Sequence, residues 1–113
     1  MGAVVSFEGI VRNHDNGNSV IALSYSQHPS AGEVIAQIAA EVSAKHPQTR
    51  LWVAHRIGDL QVGELVFLVI VAAAHRKQAF TACIDLVDEV KSGLPIWKEQ
   101  IMTDGTTQWV GSE

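Results

Sequence analysis

The chain has 113 residues, 47% apolar and 18% charged, with a net charge of −4. That length suits one domain with a real core, the composition excludes a disordered chain, and the acidic balance argues against a general nucleic-acid binder. Cys83 is the only cysteine, which excludes an internal disulfide and points to a reducing compartment, here the cytoplasm.

Met1 to Val5 carries neither the basic region nor the long apolar run of a signal peptide. Ala3 to Val11 reads as a strand. Val5, Phe7, Gly9 and Val11 alternate with Val4, Ser6, Glu8 and Ile10, so both faces carry apolar residues and a central strand is expected. The polar stretch Arg12 to Asn18 contains Asn16-Gly17, a strong turn signal, and Val20 to Tyr25 is expected to return as the partner strand. Arg12 stands at the root of that loop, where it can serve a ligand or simply be solvated.

Ser30 and Glu33 have the spacing of a capping box and open a helix. Its buried stripe is Val34, Ile35, Ile38, Ala39 and Val42, and Pro47 marks its end. His46 there reads as a surface residue favoured by the helix dipole. Leu51 to His55 is a short strand, followed by turns at Arg56–Asp59 and Gln61–Glu64. The unbroken apolar run Leu65 to Ala74 reads as a strand buried on both faces; it is too short to span a bilayer.

His75-Arg76 follows, where a second helix begins. Helix amides and dipole beside two basic side chains suit an anion; equally, His75 can cap the helix while Arg76 is solvated. Phe80, Ile84, Val87 and Lys91 share one face of this helix, which is expected to pack on the core with Lys91 in the last turn. Gly93 offers a left-handed stop, and Pro95 prevents the helix from resuming. Lys98 lies in the extended segment beyond. A lysine aligned with apolar neighbours loses solvation and becomes useful for amine chemistry near neutral pH. A lysine at a helix C-terminus also complements the dipole, and its stem snorkels past apolar groups. Cys83 reads as a small core residue. His14, His55, His75 and Cys83 form no close metal-ligand pair, and no phosphate-binding glycine loop or G-x-S-x-G elbow is present. Thr103–Thr106 reads as a hairpin turn before a closing strand, Gln108–Val110.

Taken in register, several of these segments resemble the molybdopterin synthase catalytic (large) subunit family. They are Gly2 to His14, His55-Arg56-Ile57-Gly58, Val62-Gly63-Glu64, His75-Arg76 with Ala79-Phe80, Pro95 to Glu99, and Gly105 with Trp109-Val110. The resemblance implies an α+β fold of hammerhead type: a mixed, largely antiparallel sheet with hairpins and two main helices. It implies a sulfurtransferase that places two sulfurs on cyclic pyranopterin monophosphate, making the dithiolene of molybdopterin in molybdenum cofactor biosynthesis. The sulfur would come from the C-terminal thiocarboxylate of a small ubiquitin-like (β-grasp) sulfur-carrier subunit ending in Gly-Gly. Large subunits would pair as a homodimer within a heterotetramer, without metal or organic cofactor. Carried over by position, Lys91 and Lys98 match the catalytic lysines. Arg12, His75 and Arg76 match substrate-binding residues, and Phe7 matches an aromatic near them. All five cationic positions are expected to converge on one pocket. Residues 1–113 are expected to form a single domain of this type, departing from the family in lacking its usual N-terminal extension and in stopping soon after Trp109-Val110. The competing readings are a non-catalytic dimeric α+β module that binds an anionic ligand or a protein C-terminal tail, and a different acyl- or phosphoryl-handling enzyme on a similar scaffold.

Overall fold

The computed structural model describes the backbone of residues 1–12, 14, 15, 18–102 and 107–110, and the side-chain surroundings of residues 1–12 and 24–96. Among the described residues, eight strands and two helices follow in the order β1 (Ala3–Ile10), β2 (His14–Asp15), β3 (Asn18–Gln27), α1 (Ala31–Lys45), β4 (Thr49–His55), β5 (Gly58–Gln61), β6 (Leu65–Ala73), α2 (Arg76–Gly93), β7 (Ile96–Met102) and β8 (Thr107–Val110). The α+β class expected from the sequence is the class observed.

Two antiparallel sheets organise the chain. The first has the order β1-β6-β4. Its centre is β6, the strand whose unbroken apolar run leaves residues on both faces covered. β1 is an edge strand, against expectation. Val5 and Phe7 face the core side, whereas Val4 and Ile10 are 68% and 45% exposed. Apolar residues on both faces are common to edge and centre, so pattern alone did not separate the two.

The second sheet has the order β2-β3-β7-β8, with β5 also paired to β3. The strand expected to return against β1 therefore pairs elsewhere. β3 meets the two-residue β2 through His14↔Ser19 and Asp15↔Asn18, then runs on between β5 and β7. The expected turn at Arg56–Asp59 is shorter than read, because β5 already begins at Gly58, a glycine with φ of 94°. Gly63, φ 91°, makes the second turn. Residues 103–106 of the expected hairpin turn lie outside those described.

The helices pack on one side of the first sheet, α1 over β4 and α2 over β6 and β1. Between them and the sheet lie Val42, Val69, Val71, Leu86 and Val90, all essentially inaccessible. Each such side chain contributes about 1.5–3 kcal/mol by burial. α1 starts at Ser30 as read, but no capping box forms; the Ser30 hydroxyl instead lies 2.8 Å from His28 Nδ1. His46 is more than a surface residue, since its Nε2 sits 2.9 Å from Asp85 Oδ2 and ties the end of α1 to α2.

α2 corrects the sequence reading most. Its buried face is Ala79, Ala82, Cys83, Leu86 and Val90, while Phe80 and Ile84 are 54% and 62% exposed. Small residues let the helix lie close to the sheet, and the bulkier stripe is left on the flank beside β1. Gly93 is still helical and takes no left-handed φ; the helix ends at Leu94, whose N–H bonds Val90 O at 3.0 Å. Gly93 serves close packing instead, because a Cβ there would lie 3.2 Å from Ile38 Cδ1. Among the described residues no helix is long and apolar enough to cross a membrane.

Candidate active site

The central rungs of the first sheet set the geography. At one end Gly9, Phe67 and His55 lie side by side across β1, β6 and β4; at the other end Ala3, Ala73 and Thr49 do. α2 runs from the second end back to the first. Lys91, in its last turn, therefore returns to the end where His55 emerges.

An aromatic cluster floors that end. Phe7 meets Phe67 edge-on at 5.7 Å, His55 stands 5.7 Å from Phe67, and Tyr25 packs edge-on against His55 at 5.5 Å. Lys91 is exposed, and its charge reaches the His55 ring. Burial above all, and the Lys91 charge to a smaller degree, push His55 below its ordinary pKa of 6.5, opposed by its hydrogen bond to the Arg56 carbonyl. Arg56 closes the strand end, donating from its backbone N–H to Val66 O at 2.8 Å and from Nη1 to Leu65 O at 3.0 Å.

The second sheet delivers the other lysine by register. Lys98 on β7 is the antiparallel partner of Tyr25 on β3. Directly opposed residues have Cβ atoms about 5 Å apart. The Lys98 backbone thus lies one residue from the ring that packs on His55, though its side chain lies outside those described. Arg12 joins the same end. Val11 before it donates to Glu64 O at 3.0 Å and accepts from Gly63 N–H at 2.9 Å, fixing the exit of β1 beside the start of β6. Phe7, Arg12, Lys91 and the Lys98 backbone thus gather at one end, with His55, Tyr25 and Arg56 beside them.

His75 and Arg76 do not join them. They begin α2, and Arg76 and Lys91 are separated by about 22 Å along the helix axis. Within one chain the expected single pocket is not formed. Their own end is nonetheless unusual. The first turn of α2 holds no acidic residue and two basic ones, Arg76 and Lys77, where the dipole favours negative charge. His75 occupies the N-cap position without a side-chain cap bond. A helix start assembled against its own dipole in this way is suited to an anionic ligand.

The sequence pattern did not single out His55, Tyr25 or Arg56, which the fold brings to this end. The signal was present: His55-Arg56-Ile57-Gly58 is one of the family-like segments, and it falls where β4 ends. Among the described residues no group of three or more His, Cys, Asp or Glu could hold a metal ion. Cys83 is buried, which raises its thiol pKa and leaves it inert.

The chain is similar to known proteins in sequence and in fold. The family model for the MoaE protein matches residues 1–93. The molybdopterin synthase catalytic subunit of a Nostoc species is 42% identical over 111 residues, covering 96% of this chain and 67% of the relative. The catalytic subunit from Bacillus subtilis is 37% identical over 113 residues, covering 99% and 71%. Among solved structures, molybdopterin synthase from Staphylococcus aureus superposes with a TM-score of 0.89 at 38% identity, covering 97% of this chain and 80% of that one. A complex of subunits 1 and 2 of the molybdopterin-converting factor from Helicobacter pylori gives 0.75 at 25% identity, covering 99% and 72%. With a family model spanning most of its length and relatives this similar, the chain belongs to the MoaE family.

Proposed function

We propose that this chain is the catalytic subunit of a molybdopterin synthase. It transfers sulfur from the C-terminal thiocarboxylate of a small ubiquitin-like partner to cyclic pyranopterin monophosphate. The observation that carries the reading is the gathering of Lys91, Arg12 and the Lys98 backbone over the Phe7–Phe67–His55 floor. Both the substrate phosphate and the partner's terminal group are anionic, so a cationic end on an acidic chain attracts them. Lys91, projecting from the helix end beside a neutral imidazole, is the group for acid–base work or transient attack on the acyl carbon. Lys98 supplies charge to phosphate or to the developing oxyanion. Arg12, His75 and Arg76 hold the substrate.

A second copy reconciles the distances. If two chains meet along the exposed flank of α2, with their α2 helices antiparallel, the His75-Arg76 end of one lies beside the Lys91 end of the other. Phe80 and Ile84 supply the apolar contact, and the edge of β1, unpaired among the described residues, runs alongside. Each site then takes lysines from one copy and His75-Arg76 from its mate. The assembly is a homodimer carrying one small subunit per copy, a heterotetramer of the cytoplasm, and needs no metal or organic cofactor.

The test is reconstitution. The chain is mixed with a thiocarboxylated β-grasp partner and cyclic pyranopterin monophosphate, and dithiolene product is measured. Formation that depends on Lys91 supports the reading. Binding of the partner's Gly-Gly tail without product would leave the chain a non-catalytic docking module.

A further inference from the structure

His55 lies at the end of β4, where three neighbours hold its ring. Its ring is held edge-on by Tyr25 and tilted over Phe67, with interplanar angles of 64° and 32°. Its Nδ1 is 2.7 Å from the Arg56 carbonyl oxygen. A carbonyl only accepts, so Nδ1 carries the hydrogen; in the neutral ring Nε2 is then a bare acceptor. Among the described residues, Nε2 has no hydrogen-bond partner. A half-buried imidazole fixed on three sides, with its lone pair unused, stands at the end where Lys91 arrives.

We propose that His55 is a positioning residue for Lys91: the Lys91 ammonium, which does not hydrogen-bond the ring in the chain alone, swings on its flexible stem to donate to the unprotonated Nε2 when the partner's tail enters, and is thereby held against the partner's acyl oxygen. This rests on the role given to Lys91 above. An ammonium has three N–H donors, so the bond coexists with others that Lys91 makes. The charged and titratable groups around His55 are Lys91 from α2, Arg56 next in the chain and Tyr25 from β3. By backbone register, Lys98 lies opposite Tyr25, and Asp59 and Glu99 lie opposite Ser24 on its two sides. β6 presents only Phe67. The three cations outnumber the two carboxylates, and burial acts in the same direction, so the ring stays neutral at pH 7. Acid destroys the arrangement, because a protonated His55 loses its acceptor and repels Lys91.

The experiment pairs turnover with a measurement that needs none. Single-turnover dithiolene formation with saturating thiocarboxylated partner is followed from pH 5 to 8 in wild type, His55→Phe and His55→Gln. Phenylalanine keeps the ring packing and removes the acceptor; glutamine places a non-titrating acceptor near the Nε2 position. His55→Phe should fold and react at least tenfold more slowly. His55→Gln should stay within about threefold of wild type and lose the acid limb of the profile. Separately, ring ¹⁵N resonances of His55 are titrated in wild type and in Lys91→Met, where the midpoint should rise. A folded His55→Phe with wild-type rates, or equal losses in both variants, overturns the proposal. So does a His55 titration unmoved by Lys91→Met, even where dithiolene forms. A midpoint that moves while wild type makes no dithiolene upholds the pairing and removes the sulfur-transfer reading instead.

Discussion

Replacing Phe80 with serine isolates the surface that would join two copies. Phe80 is 54% exposed and lies outside the buried core, so its loss should hardly disturb the monomer. An aromatic side chain presents about 200 Å² in all, so about 100 Å² of Phe80 is available to a partner. At about 25 cal/mol per Å², covering it contributes about 2.5 kcal/mol per copy. Two-fold symmetry counts the contact twice, giving about 5 kcal/mol and a change in dimer Kd of about a thousandfold or more. Serine adds no charge, so the loss reports contact area and not repulsion. Sedimentation equilibrium of wild type and Phe80→Ser over a wide concentration range measures it, with circular dichroism confirming the fold. An unchanged dimer Kd in the folded variant would show that the α2 flank is not the interface, and the shared-site geometry would fall with it.

Other perturbations separate chemistry from packing. Lys91→Arg keeps charge but not proton transfer, so it should fail nearly as badly as Lys91→Ala, by about a hundredfold or more in single-turnover rate; Lys98→Arg should retain much of the activity that Lys98→Ala loses. Leu86→Ala, at a fully buried position, should cost about 2–5 kcal/mol in denaturant unfolding. The lowered pKa of His55 sets a pH dependence: below 6.5 the unfolded chain takes up this proton more readily than the folded one, so stability falls as pH drops from 6.5 toward the folded value. Urea midpoints between pH 5 and 7.5 should therefore rise less steeply in His55→Phe than in wild type.

The fold was legible wherever pattern and punctuation agreed. The apolar run of β6 announced a central strand, and Ser30, Pro47 and Pro95 bracketed the helices within a residue or two. What the pattern could not give was the choice among apolar faces. α2 carries two, and of the more hydrophobic-looking one Phe80 and Ile84 stay on the flank, with Val87 packed at the core's edge, because Ala79, Ala82 and Cys83 allow closer approach to the sheet. Strand pairing was hidden for a related reason, since nothing in Val20 to Tyr25 distinguishes β1 from β7 as its neighbour. The site was legible in its residue types but not in its distances. Lys91 and Arg76 stand at opposite ends of one helix, a fact available from helix rise alone once the helix limits are accepted. His55 was set aside for want of a metal-ligand partner, whereas its surroundings are aromatic and come from β3 and β6, remote in sequence.

Hybrid dimers test the central claim most directly. Lys91→Ala and Arg76→Ala chains, each inactive alone, are coexpressed with different tags and the mixed dimer is purified. If each site takes Lys91 from one copy and Arg76 from the other, one of the two sites in the hybrid is intact. Dithiolene formation should then return to about half of wild type per dimer. A hybrid as inactive as either parent dimer would contradict the shared site and return both residues to a single chain.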